Sequence, residues 1–285
     1  MNDIYKHPNR YDLEHRGDDD DVKFYIQAIQ DLRPRRVLEL GCGTGRISLP
    51  LAREGHHLGL EMLVGLDNSA EMLERAKHKL AFAEPHTQQR LCYIKADMLS
   101  WQCDRLFDLI TIPCNSISHV LELSDQIRLF QRCYSNLNTG GRLIVEATMP
   151  NLATYADSFR SPPRATLEVD LDNHNPTQET RLIRRKTTSY SNHQQLAAIT
   201  FFYEKYQAGR LVEGYVDDFA SHVFFPRELA LLFLYVGFRI ERILGDYQGR
   251  DLDSRSSLLI IIGKKLQDCD NHPSRITETP SINLT

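Results

Sequence analysis

Apolar residues recur along this chain with two different periods, and the switch between them divides it. VKFYIQAIQDL, from Val22, repeats at helical spacing behind the acidic run Asp18 to Asp21, which suits the positive end of a helix entry. Beyond it, short continuous apolar runs alternate with helical stretches. RRVLELG reads as a buried strand, followed by a glycine turn and the helix GRISLPLAREG. Strand MLVGLD, helix SAEMLERAKHKLAF, strands LCYIKAD and FDLITIP, helix SDQIRLFQRCYSNL and strand RLIVEAT complete the series. This alternation predicts a largely parallel sheet with helices on both faces.

After Pro150 the period falls to two. RLIRRKTTSYS, LAAITFFYEKYQ and LVEGYVDDFASHVFF predict about three antiparallel strands with no helix between them. Helical spacing returns in PRELALLFLYVGF, with Pro226 suited to the first turn, and RIERILG and SSLLIIIGKK supply two last strands. The chain therefore divides into an N-terminal helical segment (1–36), a core (37–150), an antiparallel insertion (151–225), the last core elements (226–265) and a polar tail (266–285) expected to be disordered. An insertion of this kind is either a lid over a site or the contact of a homodimer.

Composition changes the picture mainly by exclusion. Among 285 residues, 41% are hydrophobic, enough for a sizeable core. A net charge of −4 weighs against a nucleic-acid backbone or an anionic membrane as partner. No run approaches the roughly 18 apolar residues that span a bilayer, and the first residues lack the apolar core of a secretory signal. The six cysteines show no CxxC pair, so free thiols in a reducing cytoplasm are expected.

The strongest chemical signal is LELGCGTGR, Leu38 to Arg46. A buried strand ends in glycines at alternate positions, Gly41, Gly43 and Gly45, and a helix follows at once. Glycine lets the turn tighten and lets a ligand lie against bare backbone, while the helix start offers free N–H groups. A dinucleotide fingerprint needs a glycine where Arg46 stands, and a P-loop needs a G-K-[ST] ending that is missing. Glu39, two residues before the turn, repels a pyrophosphate and attracts a cation. Asp67 ends the next strand, placed to accept from vicinal ribose hydroxyls, and Asp97 ends the third, placed to accept from an adenine amino group. Together these acids fit a nucleoside that carries positive charge and no phosphates.

IPCNSISHV, Ile112 to Val120, invites a hydrolase reading. That chemistry needs a nucleophile on a G-x-S-x-G elbow, and neither Ser116 nor Ser118 has flanking glycines. Cys42, on the one glycine elbow, would lie under the ligand.

From about Tyr11 to Thr148 the chain resembles class I S-adenosylmethionine-dependent methyltransferases of the small-molecule type. ELGCGTGR resembles their first motif, Asp67 their ribose-binding acid, Asp97-Met98 their adenine-contacting pair, FDLITIPCNSISHV their fourth strand and loop, and LNTGGRLIVEA their fifth strand. The resemblance implies a Rossmann-like seven-stranded sheet with one antiparallel strand, and S-adenosylmethionine as cofactor. It implies cofactor contacts at Glu39, Gly41, Cys42, Gly43, Gly45, Asp67, Asn68, Asp97, Met98 and Pro113. One departure is HHLGLEMLVGL, a longer connection than usual before Asp67, read as an extended loop ahead of the strand.

Methyl transfer from a sulfonium needs an unprotonated nucleophile held in line, no metal, and at most one base. In the resembled family a tyrosine before the first helix closes the cofactor cleft, a place Tyr11 fits. Enzymes acting on amino sugars and similar amines carry a Ser-x-x-His loop like SISHV, which makes His119 a proton acceptor or orienting group for the acceptor. The alternatives are a staple for Tyr11 and a helix cap for His119. Asn115, Ser116 and Arg227 are the further candidates for acceptor contact, and Arg181, Arg184 and Arg185 either meet a carboxylate or form a solvated strand edge. The absence of an Asn/Asp-Pro-Pro-aromatic sequence after the fourth strand disfavours nucleobase or glutamine methylation. A small-molecule acceptor is therefore expected, by N- or O-methylation. Carboxylate methylation and a non-catalytic cofactor-binding regulator are the alternatives, and arsenite methylation is weak because only Cys114 lies near the motif.

Overall fold

The computed structural model describes residues 3–17, 19–161, 164, 166–175 and 179–266. Asp18 and the expected tail beyond Leu266 lie outside the described residues. A 3-10 turn at Asp3–Lys6 leads to α1 (Pro8–Glu14) and α2 (Asp20–Leu32). There follow β1 (Arg36–Leu40), α3 (Ser48–Glu54), β2 (Met62–Asp67), α4 (Ala70–Ala81), α5 (Pro85–Arg90), β3 (Leu91–Lys95), β4 (Phe107–Ile112), α6 (Leu123–Ser135) and β5 (Leu137–Thr148). The short α7 (Leu152–Tyr155) precedes β6 (Glu168–Asn175), β7 (Thr180–Ser191), β8 (Leu196–Gln207) and β9 (Arg210–His222). Helix α8 (Pro226–Val236), β10 (Phe238–Leu244) and β11 (Leu258–Lys265) close the fold.

The larger sheet has seven strands in the order β10-β11-β5-β4-β1-β2-β3, and β11 runs antiparallel to both its neighbours. The interior strands are mainly apolar on both faces, because helices cover both sides, with Glu39, Thr111 and Glu146 as buried polar exceptions. Leu38, Leu40, Ile110 and Ile112 pack under α6 and α8 on one face, and Val37, Leu63, Leu109 and Ile144 pack under α2 and α3 on the other. Burying one such side chain contributes about 1.5–3 kcal/mol. The strand order reverses between β1 and β4, and a crevice opens above such a reversal.

The second sheet has four antiparallel strands, β6 to β9, one more than the alternation predicted. Strand β6, EVDLDNHN, carries too little apolar periodicity to stand out. Its acids instead pair with arginines of β7, Arg181 with Asp172 and Arg184 with Asp170. Tyr11 lies inside α1 rather than ahead of the first helix, and the helix after the glycine turn begins at Ser48. The long connection before β2 is taken up by a 3-10 turn at Gly55–Leu58 and a left-handed Gly59, so Asp67 still ends its strand. Among the described residues no helix is long and apolar enough to cross a membrane.

Candidate active site

All three glycines of the turn adopt positive φ: +75° at Gly41, +53° at Gly43 and +74° at Gly45. A Cβ at Gly45 would stand 2.1 Å from the Tyr93 hydroxyl, so this glycine serves packing. A Cβ at Gly43 would meet nothing within 4 Å, which leaves that backbone open to a ligand. The N–H groups of Gly41 and Cys42 donate to the Leu66 carbonyl, tying the turn to β2. Asp67 accepts from the Gly43 N–H on one carboxylate oxygen and from the Ser69 N–H on the other, each at 2.8 Å. Burial raises its pKa above the usual carboxylate range.

A cavity of about 450 Å³ lies over this turn. Gly41, Gly43, Asp67, Asn68 and Met98 line it together with Ser116, His119, Tyr5, Tyr11, Glu14 and Arg184. The Tyr5 hydroxyl and His119 Nε2 are 2.5 Å apart, with the rings edge to face. Burial lowers the His119 pKa, keeping the imidazole neutral near pH 7, and burial raises the Tyr5 pKa, keeping the phenol protonated. Glu14 receives Arg184 Nη1 at 2.6 Å, while Arg184 also bonds both oxygens of Asp170 and stacks on Phe201. Arg184 is thus held by two carboxylates in the cavity wall, whereas Arg181 pairs with Asp172 on the exposed part of the strand.

Helix α1 is seven residues long and is held on three sides. Asp12 accepts from Thr44 of the glycine turn at 2.7 Å and from Arg75 and Lys79 of α4 at 2.9 and 2.6 Å. Arg10 is buried, its guanidinium 4.4 and 4.3 Å from the ring centres of Tyr203 and Tyr215, which stack on each other, and it pairs with Asp217 at 2.5 Å, anchoring α1 to the four-stranded sheet. Tyr11 and Glu14 face the cavity.

Of the residues expected from the sequence, Tyr11, Gly41, Gly43, Asp67, Asn68, Met98, Ser116 and His119 line one cavity. Seven do not. Glu39 lies beneath the turn, 2% exposed, with Oε2 lacking a hydrogen bond, and burial pushes it up to about 8. Cys42 and Pro113 are buried off the cavity, Gly45 packs on Tyr93, and Asp97 is exposed with its carboxylate capping the Leu99 N–H. Asn115 accepts from Thr148 N–H and the Ser118 hydroxyl, so its side chain braces the loop instead of facing an acceptor. Arg227 is exposed on α8, away from the cavity.

Sequence reading missed Tyr5, Glu14 and the cluster Asp21–Arg46–Cys114. Asp21 looked like one more acid in a helix entry, yet it is buried and takes two bonds from Arg46, whose guanidinium also lies 3.1 Å from the Cys114 sulfur. The large residue after Gly45, which argued against a dinucleotide, ties α2 to the loop after β4.

A family profile described as a methyltransferase domain matches residues 37–141. The trans-aconitate 2-methyltransferase of Pseudomonas aeruginosa is 30% identical over 236 residues, covering 73% of this chain and 78% of that protein. The chain belongs to the S-adenosylmethionine-dependent methyltransferases. The demethylmenaquinone methyltransferase of Thermotoga maritima is 31% identical over 141 residues, or 49% of this chain. Of that methyltransferase and two other bacterial ones the chain spans only 55%, 42% and 41% of the length. In fold, this methyltransferase chain is similar to DesVI of Streptomyces venezuelae, with a TM-score of 0.70, 19% identity, and coverage of 91% of this chain and 98% of that one. The family's seven-stranded sheet is present with its antiparallel strand, and the four-stranded sheet stands apart from it.

Proposed function

We propose that this protein transfers a methyl group from S-adenosylmethionine to a nitrogen of a small amine. One observation carries the reading: a single cavity is lined both by the glycine turn with Asp67 and by the neutral His119, paired with Tyr5. The open backbone at Gly43 and the half-buried Asp67 carboxylate fit a nucleoside without phosphates. Bound there, S-adenosylmethionine supplies a methyl group already activated on a positively charged sulfur.

The chain's own residues then have three tasks. Asp67 holds ribose hydroxyls, with Asn68 and Met98 beside the nucleoside. The segment from Tyr5 to Glu14 covers the cavity and excludes water. His119 accepts the proton that an incoming ammonium must lose before its lone pair can form the new nitrogen–carbon bond. Glu14 supplies negative charge toward a cationic acceptor, and Arg184, matched by Glu14 and Asp170, leaves no surplus positive charge for an anion. The four-stranded sheet contributes Arg184 and Ala220 to the cavity and acts as an acceptor-selecting lid. The free thiols among the described residues suit a reducing, cytoplasmic setting.

A second reading, O-methylation of a carboxylate, draws on Arg184 in the cavity wall and on the likeness to trans-aconitate 2-methyltransferase. Incubation with isotope-labelled cofactor and metabolite extract, followed by mass spectrometry before and after mild alkali, separates the two. An N-methyl label survives alkali, and a methyl ester is lost. Titration calorimetry with S-adenosylhomocysteine tests the cofactor itself, and no heat at tens of micromolar overturns the proposal.

A further inference from the structure

One segment of the chain, residues 5–16, lines two separate cavities. Tyr5, Tyr11 and Glu14 face the cavity described above, whereas Lys6, His7, Arg10, Leu13 and Arg16 line a second one. The second cavity has a volume of about 540 Å³, within the range of small-molecule sites, and shares no lining residue with the first. Strands β7, β8 and β9 supply its other charged residues, Arg181, Lys205 and Glu213. Tyr215 adds an aromatic face, with the His7 ring centre 6.0 Å from its own.

Five cationic side chains, Lys6, Arg10, Arg16, Arg181 and Lys205, line this cavity against one carboxylate, Glu213, among the described residues. Two of the five are held by acids outside the lining. Asp217 pairs with Arg10, and Asp172 accepts from Arg181 Nε at 2.7 Å while that side chain stays 49% exposed. Lys205 lies 3.6 Å from Glu213, with both side chains about half exposed. Arg16 is exposed and has no carboxylate partner among the described residues. Clustered like charges repel one another, and a bound anion relieves that repulsion. Guanidinium groups also present paired N–H donors that match the oxygens of phosphates and carboxylates. Because Lys6 and Arg16 belong to the N-terminal segment and Arg181 and Lys205 to the sheet, one anion contacting both groups ties the two together. Three links already join them: Arg10 with Asp217, Arg184 with Glu14, and the Asn173 amide donating to the Leu13 carbonyl at 2.9 Å.

We propose that this second cavity binds a small multivalent anion bearing phosphate or carboxylate groups, which clamps residues 5–16 to the four-stranded sheet and so steadies the cover of the first cavity. The binding stands on the second cavity alone, and its effect on methyl transfer rests on the proposed function. Titration calorimetry of the full chain with pyrophosphate and with citrate, at matched ionic strength, tests the binding and tells which class is preferred. At least one should bind with a Kd below about 1 mM, and more weakly as salt is raised. Arg16→Gln and Lys205→Gln, both at exposed positions outside the first cavity, should each weaken it about tenfold. With the anion saturating, hydrogen exchange read by mass spectrometry should slow about threefold or more across residues 5–16, with β4 and β5 unchanged. Affinity for S-adenosylhomocysteine should then rise by about fivefold. Binding of neither anion at about 10 mM overturns the proposal, as does undiminished binding in the double variant or unchanged exchange at residues 5–16. No calorimetric heat from S-adenosylhomocysteine with the wild-type chain would sink the methyltransferase reading instead, and anion binding and exchange would still decide the second cavity.

Discussion

His119 Nε2 lies 2.5 Å from the hydroxyl of Tyr5, joining residues 114 positions apart in one cavity wall. The imidazole and the segment that covers it are therefore one unit, so substitutions at either should act on turnover more than on cofactor binding. His119→Ala should lower turnover by about 10²–10⁴-fold, the usual range for a positioned base. Tyr5→Phe should lower it less, and both should leave calorimetric affinity for S-adenosylhomocysteine nearly unchanged. Undiminished turnover in His119→Ala would make the loop scaffold alone.

The pH dependence follows from the same residue. Burial depresses the His119 pKa, so the imidazole stays neutral further into acid than a free histidine. The protonated ring cannot accept a proton, so the rate should rise with pH through that depressed pKa and be level above it. The acid limb of kcat should lie below the usual histidine range of about 6.5 and should vanish in the His119→Ala background.

Asp67 sits between the glycine turn and the nucleoside side of the cavity. Asp67→Ala removes the acceptor for the Gly43 N–H and, on the proposed reading, the acceptor for ribose hydroxyls. Two hydrogen bonds of roughly 1 kcal/mol each predict a loss of about 10–100-fold in affinity for S-adenosylhomocysteine, measured by calorimetry. Affinity within a factor of about two of wild type would remove Asp67 from the cofactor site.

Arg10 anchors α1 to the four-stranded sheet through the buried Asp217, the buried Tyr203 ring and the half-buried Tyr215 ring. Arg10→Ala leaves Asp217 as a buried unpaired charge, a change that typically costs 3–5 kcal/mol. Urea denaturation should show a loss of about 3 kcal/mol, and a change below about 1 kcal/mol would mean the anchor is dispensable.

Two buried carboxylates set how stability varies with pH. Burial raises Glu39 from 4.5 to about 8 and Glu146 from 4.5 to about 7. The native state then holds protons that the unfolded chain releases above 4.5, so this contribution is full in acid and is lost as pH rises through 7 and 8. The thermal midpoint should fall between pH 7 and pH 8.5, above the range in which the depressed His15 and His119 act in the opposite sense, and Glu39→Gln should flatten that slope. A midpoint that climbs over that range would contradict the burial assigned to both groups.

Much of this protein was legible along the chain. The strands from Arg36 to Thr148 and the glycine turn follow from periodicity and from a backbone that only glycine adopts easily, both local properties. Asp67 was placed by its position at a strand end, because a parallel sheet delivers such ends to one edge, and Met98 by resemblance to the family's adenine-contacting pair. The break after Pro150 marked the second sheet, although β6 was invisible because its acids pair with β7 arginines instead of forming an apolar face.

Only the tertiary structure decided which polar groups share a cavity. Asp97, expected to end β3, lies two residues beyond its last residue Lys95, and both it and Asn115 turned their side chains to neighbouring backbone. Tyr5 and Glu14 entered the site from segments whose own sequence gives no sign of it, and of the three arginines singled out on β7 only Arg184 lines the cavity. Asp21 and Glu146 became buried anchors on the same terms. Periodicity reports whether a side chain faces a core, since burial of apolar area acts residue by residue. A hydrogen bond or ion pair across more than a hundred residues depends on where two surfaces meet, and that is set by the packing of the whole chain.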